Sequence, residues 1–412
     1  MPLRDVLIVG IRQCVVLIER MPDIGAQRVL VPWRPTIPEK RDMHFRPKGA
    51  VLKKAVVQLS AVISSKLGIW GELEEVTKGN PELEQLQAEA VLTMTGSKAN
   101  STLQTYLPYA ARWAEFAAKY GFEEYPAGLP QFVLFVQMLI SQAKERGNKS
   151  GVITTAVYAV DFIHQLMALP KPGSHDSIKL MLEGAKRMLA RPVIRKAPLS
   201  IEVVRKLIVY FTPDMGTYTL KGLRYSVYCA LAFVLEARFD DIINVCPNNI
   251  VDYGDRMVVF LEQNKTDQYR EGAFVPFVNS GEPLGAYALL TELLDRLPMG
   301  QESRSIFRRV NSCQRQGEFF RDECMSYTLV REGIKKALTA IGEKASDYAL
   351  HSFRSGAKSH VDKKQKGLPE GERIPERLSN KHGRWVGNSK AALGYTADDA
   401  EDQLLVPNAL RL

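Results

Sequence analysis

The hydrophobic positions between residues 97 and 190 recur with the spacing of α-helices. In the first segment they fall on one helical face: Leu103, Tyr106, Leu107, Tyr109, Ala110, Trp113, Phe116 and Ala117. Pro126 and Pro130 separate this segment from a second helical run at 131–147, and two further runs follow at 152–169 and 175–190. Four helices with short connections predict a small bundle.

A different pattern begins at residue 191. The segment 191–199 has no hydrophobic period and contains two prolines and three cations, which predicts a linker. Ser200 is placed to cap a helix that starts at Ile201, so a second, mainly helical domain starts there. A buried helix with one apolar face at 220–234 then ends just before Arg238.

Three runs with the composition of β-strands follow this helix, at 249–254, 256–262 and 272–277. The last two flank a polar loop, so the runs predict a three-stranded antiparallel meander. Helical patterns return at 284–297 and 326–342 and continue to about 395. The predicted fold class is therefore mainly α with a small antiparallel β-meander, an α+β architecture.

Residues 1–95 form an N-terminal extension to which we assign no role. Its apolar start is interrupted by Arg12 and Gln13 and lacks a small-residue cleavage site, which favours a short strand or helix over a signal peptide. An amphipathic helix is predicted at 49–68. The acidic segment 71–89 predicts a surface helix or linker.

The composition is that of an ordinary globular protein with two or three domains. The chain has 412 residues, of which 45% are hydrophobic and 25% charged, and a net charge of +9 that favours a polyanionic partner. No apolar run reaches the roughly 18 residues that a membrane span requires. Reduced, buried thiols in a cytosolic or nuclear protein are predicted because no C-x-x-C pair occurs among Cys14, Cys229, Cys246, Cys313 and Cys324.

Two arginines are predicted to lie where helices begin, and the planar guanidinium is well suited to hold a phosphate. Arg238 precedes Asp241 by three residues, so this carboxylate is expected to hold the guanidinium; a surface ion pair or cap would look the same. His351 and Arg354 share a face of a helix that starts near His351. Gly356 permits a close backbone approach there.

Three further side chains complete a candidate site. Lys265 lies in the polar hairpin loop, where an ammonium can reach a leaving oxygen or remain solvated. Trp385 is either a core side chain or an indole that packs under a phosphate and donates its N–H to an oxygen. Tyr395 follows ten positions later, and its phenol becomes nucleophilic only where cations stabilise the phenolate.

Together these residues supply what cleavage of a DNA strand without a metal requires: two phosphate-binding guanidiniums, an acid and a nucleophile. Other chemistries have no matching pattern. The sequence contains no Walker loop, no dinucleotide-binding glycine motif, no G-x-S-x-G, no H-E-x-x-H and no zinc spacing. We therefore expect no metal and no cofactor.

The order and context of these residues resemble the tyrosine recombinase (phage integrase-like) family over about residues 97–400. The strings NKTDQYREG, DYALHSFRSGA and ERLSNKHGRW look most like the integrase-like recombinases of eukaryotic mobile elements. The resemblance implies a helical, SAM-like core-binding domain at 97–190, a linker at 191–199 and a catalytic domain at 200–412 with a tail at 398–412. The two domains would close around DNA as a clamp.

The resemblance also implies an active site of six residues: Arg238, Lys265, His351, Arg354, Trp385 and Tyr395. The arginines would clamp the scissile phosphate, the lysine would be the general acid for the leaving 5′ oxygen, and the histidine would assist proton transfer. The tryptophan would occupy a slot held by histidine or tryptophan. The tyrosine would form a 3′-phosphotyrosine, with Asp241 and His382 in support.

The implied partner is double-stranded DNA, bound by a homotetramer on two DNA sites, with the protein monomeric or weakly associated without DNA. It would act in the nucleus of a eukaryote and otherwise in the cytoplasm. We expect the tail 398–412 to dock on a neighbouring protomer; the alternative is that it folds back on its own domain. Candidate phosphate contacts are Lys98, Lys144, Arg146, Lys149, Lys186, Arg187, Arg195 and Lys196.

Two alternatives share these residues. A type IB topoisomerase has the same constellation, although the four-helix domain and the lack of a long charged linker before the tyrosine argue against it. A catalytically inactive DNA-binding relic of a mobile element would also retain the motif. The charged segment 362–377 and the spacing from Trp385 to Tyr395, about one residue longer than usual, are departures that would displace the tyrosine.

Overall fold

A computed structural model of the chain describes residues 68–192, 195–213, 218–262, 272–313, 317–385 and 400–412. Within these ranges helices predominate and the strands form two small antiparallel sheets, so the predicted α+β class is confirmed. The helix predicted at 49–68 falls almost entirely outside the described residues. Across the described ranges, no helix has both the length and the apolarity that crossing a membrane requires.

The first group of helices is built around Trp113. It comprises α1 (Ile69–Thr77), α2 (Pro81–Thr95), α3 (Asn100–Tyr120), α4 (Leu129–Glu145), α5 (Gly151–Leu166) and α6 (Asp176–Met188). The indole of Trp113 meets Phe132 and Phe135 edge-on, with ring centroids 5.5 and 5.3 Å away. The four helices predicted at 97–190 are present as α3 to α6, and their apolar faces form one buried cluster.

This core begins before residue 97. The side chain of Trp70 in α1 is buried in the same cluster as Trp113. The backbone N–H of Ile69 donates to the Met167 carbonyl at 3.2 Å. Gly68 has a φ of +59°, and a Cβ there would lie 2.0 Å from the Met167 oxygen, so only glycine fits. Part of the segment assigned to the N-terminal extension therefore belongs to the helical core.

The second group of helices surrounds α8. It comprises α7 (Ile201–Phe211), α8 (Leu220–Val234), α9 (Phe239–Ile242), α10 (Ala286–Asp295), α11 (Tyr327–Ala340), α12 (His351–Gln365), α13 (Glu376–Gly383) and α14 (Ala400–Ala409). Every residue of α8 from Gly222 to Val234 is buried, and α7, α10 and α12 pack around it. The predicted cap is present, since the Ser200 hydroxyl accepts the Val203 N–H at 3.3 Å.

The end of the predicted linker lies against this second core. The N–H of Ala197 donates to the Asp347 carbonyl at 2.8 Å, and that of Leu199 to the Ser352 carbonyl at 2.9 Å. A Cβ at Gly356 would lie 1.9 Å from the Leu199 oxygen. The close backbone approach expected at Gly356 therefore exists, but the partner is the linker. The division of the chain into domains with separate roles stays a prediction.

The predicted meander is confirmed as a sheet in the order β1 (Ile250–Asp252), β2 (Arg256–Leu261) and β3 (Ala273–Val278). All pairs are antiparallel, and Leu261 lies opposite Ala273 at the loop end of the β2–β3 hairpin. The loop between them contains Lys265, and residues 263–271 lie outside the described ranges.

A second hairpin, β4 (Arg308–Cys313) and β5 (Gly317–Cys324), has no counterpart in the sequence prediction. Most of its side chains are exposed, and of its hydrophobic residues Val310 and Phe320 pack against the core, so its hydrophobic alternation is weak. Cys313 and Cys324 are exposed on it, which makes the expectation of buried thiols wrong for these two; Cys229 and Cys246 are buried.

The C-terminal helix α14 packs on its own domain. Val406, Leu410 and Leu412 are buried in the second core. The Ser280 hydroxyl donates to the Leu412 carbonyl at 2.9 Å, and the Lys364 ammonium to the Ala409 carbonyl at 3.0 Å. In the single chain, residues 400–412 thus pack on their own domain and not on a neighbouring protomer as expected for 398–412, and the sequence pattern cannot tell which copy of a core covers an apolar tail.

We expect Leu410→Ala to lower the free energy of unfolding by about 2–4 kcal/mol, because it removes a fully buried side chain and leaves a cavity. Leu405 lies on the same helix and is 37% exposed, so Leu405→Ala should cost well under about 1 kcal/mol. Urea unfolding of both variants measures the difference. Equal losses would contradict the packing of α14.

Candidate active site

The site is built on the end of α8, whose last carbonyl groups have no partner within the helix. Side chains from elsewhere supply the donors. His382 donates from Nε2 to the Val234 carbonyl at 2.9 Å, Arg384 donates to the Leu235 carbonyl at 3.2 Å, and Arg354 donates to the Glu236 carbonyl. Cationic donors are favourable here because a helix C-terminus carries partial negative charge.

Arg238 follows this helix end and begins α9, as predicted. The Asp241 carboxylate accepts the backbone N–H of Arg238 at 2.9 Å and forms an ion pair with Arg384 at 3.4 Å. The expectation that Asp241 holds the Arg238 guanidinium is therefore wrong, because it fixes the backbone of Arg238 instead. Nη1 of Arg238 is buried and has no hydrogen-bond partner among the described residues.

The helix α12 begins at His351, as predicted, and places Arg354 one turn later. The Arg354 side chain is fully buried, and its two terminal nitrogens donate to the carbonyls of Glu236 and Gly383. Its guanidinium lies 4.1 Å from the centre of the Trp385 ring, a cation–π contact. Nε of Arg354 is buried without a hydrogen-bond partner in the described part of the chain.

Charge is concentrated at this site. Burial lowers the pKa of Arg354 to about 10, and repulsion from Arg384 and Arg238 contributes to the shift. Partial desolvation lowers the pKa of the His351 side chain, which is otherwise exposed, with further lowering by Arg354 and Arg238. His351 is therefore neutral near pH 7 and able to accept a proton. Three neighbouring guanidiniums make the site attractive to an anion.

Two residues of the site were missed in the sequence. Arg384 joins α13 to the end of α8, and the buried carboxylate of Glu236 accepts the indole N–H of Trp385 at 3.0 Å. The expectation that this N–H is free for a phosphate oxygen is therefore not met. Burial raises the pKa of Glu236, although Trp385 and the arginines oppose the shift. Arg384 directly precedes Trp385, and Glu236 lies two residues before Arg238; this proximity in the sequence was the only signal available.

Gly383 allows these side chains to meet. A Cβ there would lie 2.1 Å from Nε1 of Trp385 and 2.3 Å from Oε2 of Glu236. Any side chain at residue 383 would therefore separate the indole from the carboxylate.

The remaining predicted residues divide into three groups. Lys265 and Tyr395 lie outside the described residues. The eight candidate phosphate contacts are all exposed, although Lys186 pairs with Glu183 and Lys196 donates to the Ser346 carbonyl. His382 is buried and anchors α13 to the Val234 carbonyl, so its supporting role is structural. The described ranges contain no group of three or more potential metal ligands.

Comparison with known proteins gave no match to a family model and no match to a curated protein. Several solved structures are similar. The XerH site-specific recombinase bound to palindromic difH substrate is 11% identical, with 86% of this chain and 93% of that chain covered and a TM-score of 0.46.

Two other similar structures also contain DNA. The Tn1549 transposon integrase with transposon right end DNA is 10% identical, covers 74% of this chain and 91% of its own, and has a TM-score of 0.44. A lambda integrase tetramer bound to a Holliday junction is 14% identical, with coverages of 72% and 71% and a TM-score of 0.41. Similarity at these values supports no inference about activity.

The burial of His382 predicts a dependence of stability on pH. Burial lowers its pKa to about 4, so below about pH 6.5 the unfolded chain takes up a proton that the folded chain resists. The contribution is fully present above pH 6.5 and is lost as the pH falls towards 4, by roughly 3 kcal/mol.

His382→Gln retains an amide donor for the Val234 carbonyl and does not titrate, so its stability should decline less between pH 7.5 and 4.5. Urea unfolding at a series of pH values measures both proteins. Parallel declines would show that His382 does not resist protonation.

Proposed function

We propose that this protein is a site-specific DNA recombinase that cuts and rejoins strands through a 3′-phosphotyrosine formed by Tyr395. One observation carries the proposal. Arg238, His351 and Arg354 come together at a site where three guanidiniums, those of Arg238, Arg354 and Arg384, keep buried N–H groups without an acceptor in the described residues.

Unpaired buried donors are unfavourable, at about 1–3 kcal/mol each, and a bound anion with several oxygens would satisfy them. In the described part of the chain, the carboxyl groups that act on Arg354 and Arg384 are those of Asp241 and Glu236, while Arg238 adds a third guanidinium. The net charge of these groups is positive, which favours the binding of a phosphodiester. The charge on its non-bridging oxygens grows as a nucleophile attacks, so fixed guanidiniums stabilise the transition state more than the ground state.

The proposed reaction follows from the resemblance and from this charge distribution. The phenolic oxygen of Tyr395 attacks phosphorus, and the bond from phosphorus to the 5′ oxygen breaks. Neutral His351 accepts the phenolic proton, and Lys265 donates a proton to the 5′ oxygen. Attack by a 5′ hydroxyl on the phosphotyrosine reverses these steps and joins the strands, with the energy of the original bond retained.

The proposed assembly is a homotetramer on two DNA duplexes, with each chain closing its 97–190 and 200–412 segments around DNA. The exposed lysines and arginines of 97–199 would contact phosphates and supply affinity more than sequence preference. The site of action would be the nucleus of a eukaryotic host or the cytoplasm of a bacterial one.

Tyr395→Phe should bind DNA with an affinity within about threefold of the wild type and form no covalent adduct, because only the phenolic oxygen can bond to phosphorus. Denaturing electrophoresis with a nicked suicide substrate, in excess EDTA, measures the adduct. Tyr327→Phe is a control at an exposed tyrosine of the same domain and should react normally. An adduct from Tyr395→Phe, or a strict need for a divalent ion, would refute the mechanism.

Neutralising Lys144 and Lys149 together should weaken DNA binding about tenfold near physiological salt. The slope of log affinity against log salt should fall in magnitude by about 1.8, because two phosphate contacts are lost. The control is the double change Lys363→Gln and Lys366→Gln, which removes the same charge from exposed positions at the far end of α12. Equal effects of the two pairs would argue against a contact surface on the helical domain.

A further inference from the structure

Glu236 combines three features that are individually unfavourable. Its backbone is left-handed, with a φ of +44°, which side chains other than glycine rarely adopt. Its side chain is fully buried. One of its carboxylate oxygens, Oε1, has no hydrogen-bond partner among the described residues. Such a residue persists where the surrounding structure or a function requires it.

Glycine would adopt the backbone conformation at this position without strain. Glu236 is the residue after the C-cap of α8, and the Ala237 N–H donates back to the Ala232 carbonyl at 3.2 Å in the manner of a helix-ending motif. Glycine is the preferred residue at that point because it has no Cβ to strain the left-handed backbone. Because glycine would suit this backbone better, the presence of glutamate points to a role for its carboxylate.

The carboxylate determines where the Trp385 indole lies. Oε2 accepts the indole N–H at 3.0 Å, and the ring then lies 4.1 Å from the Arg354 guanidinium. The only N–H of the indole is thereby engaged on the side of Glu236. Gly383 provides the space for this contact, and Arg354 donates to the backbone carbonyl of Glu236. The same residue thus contacts both the ring and the guanidinium that the ring covers.

We propose that Glu236 is a positioning residue of the phosphate site, which holds the Trp385 ring against Arg354 and supplies counter-charge to the arginines before DNA binds. The expected effect on the rate of cleavage rests on the proposed function, whereas the positioning of the Trp385 ring does not. It predicts that the hydrogen bond matters for the rate of cleavage, whereas the negative charge opposes the binding of DNA phosphate.

Two substitutions separate these effects. Glu236→Gly relieves the backbone strain and removes the hydrogen bond and the charge. Glu236→Gln removes the charge, and its amide oxygen still accepts the indole N–H. At saturating suicide substrate, the glycine variant should form the covalent adduct about 100-fold more slowly. The glutamine variant should remain within about threefold of the wild type. Both should bind DNA as tightly as the wild type or up to about tenfold more tightly.

A control and a double variant make the test specific. Asp240→Asn removes one negative charge from an exposed neighbouring position and should leave the rate unchanged. Combining Glu236→Gly with Trp385→Phe should be no slower than Trp385→Phe alone, because both changes abolish the same contact. If Glu236 only stabilised the fold, the glycine variant would lose folded protein and DNA affinity together, with an unchanged rate per bound molecule; that result would overturn the proposal.

A spectroscopic measurement without DNA keeps this inference separate from the proposed function. The emission of Trp385, taken as the difference from Trp385→Phe, should shift in Glu236→Gly and return towards the wild-type position in Glu236→Gln. If wild-type protein forms no adduct but this shift occurs, the proposed function fails and the positioning contact stands. If neither variant changes the emission, the positioning role of Glu236 is refuted.

Discussion

The C-terminal end of one buried helix, α8, organises the candidate site. Its last carbonyls accept hydrogen bonds from His382, Arg384 and Arg354, which come from two other helices. Each of these donors is buried. Each therefore supplies the carbonyl with a hydrogen bond in place of the one to water that is lost on folding. The contacts that complete the helix end also bring α12 and α13 together at the site.

The same arrangement explains how several guanidiniums remain stable at close range. Arg354 and Arg384 donate mainly to backbone carbonyl oxygens, which carry partial negative charge but no net charge. Among the described residues, the carboxyl groups that act on Arg384 are those of Asp241 and Glu236. The cluster is therefore tightly held and still positive, so that its orientation is fixed before any ligand arrives and little reorganisation is needed on binding.

Much of this could be predicted from local patterns. The helical periods located α3 to α8, the polar loop between two apolar runs located the β2–β3 hairpin, and the positions of Arg238 and His351 at helix starts were confirmed. Side-chain partners were harder to predict. Asp241 binds Arg384, which lies far away in the sequence, and α14 packs on its own domain, because such contacts depend on tertiary packing. The β4–β5 hairpin lacks the alternation by which a strand is recognised.

The end of the linker is hydrogen-bonded to the first turn of α12 and to the segment just before it. Residues 197 and 199 are hydrogen-bonded to the backbone at Asp347 and Ser352, and Gly356 leaves no space between the linker and the helix. Ser352 lies between His351 and Arg354 in the sequence, so tension along the linker reaches the first turn of the helix that carries them. An extra residue between positions 197 and 199 would therefore disturb the first turn of α12, whereas one before position 195 would leave these two hydrogen bonds in place.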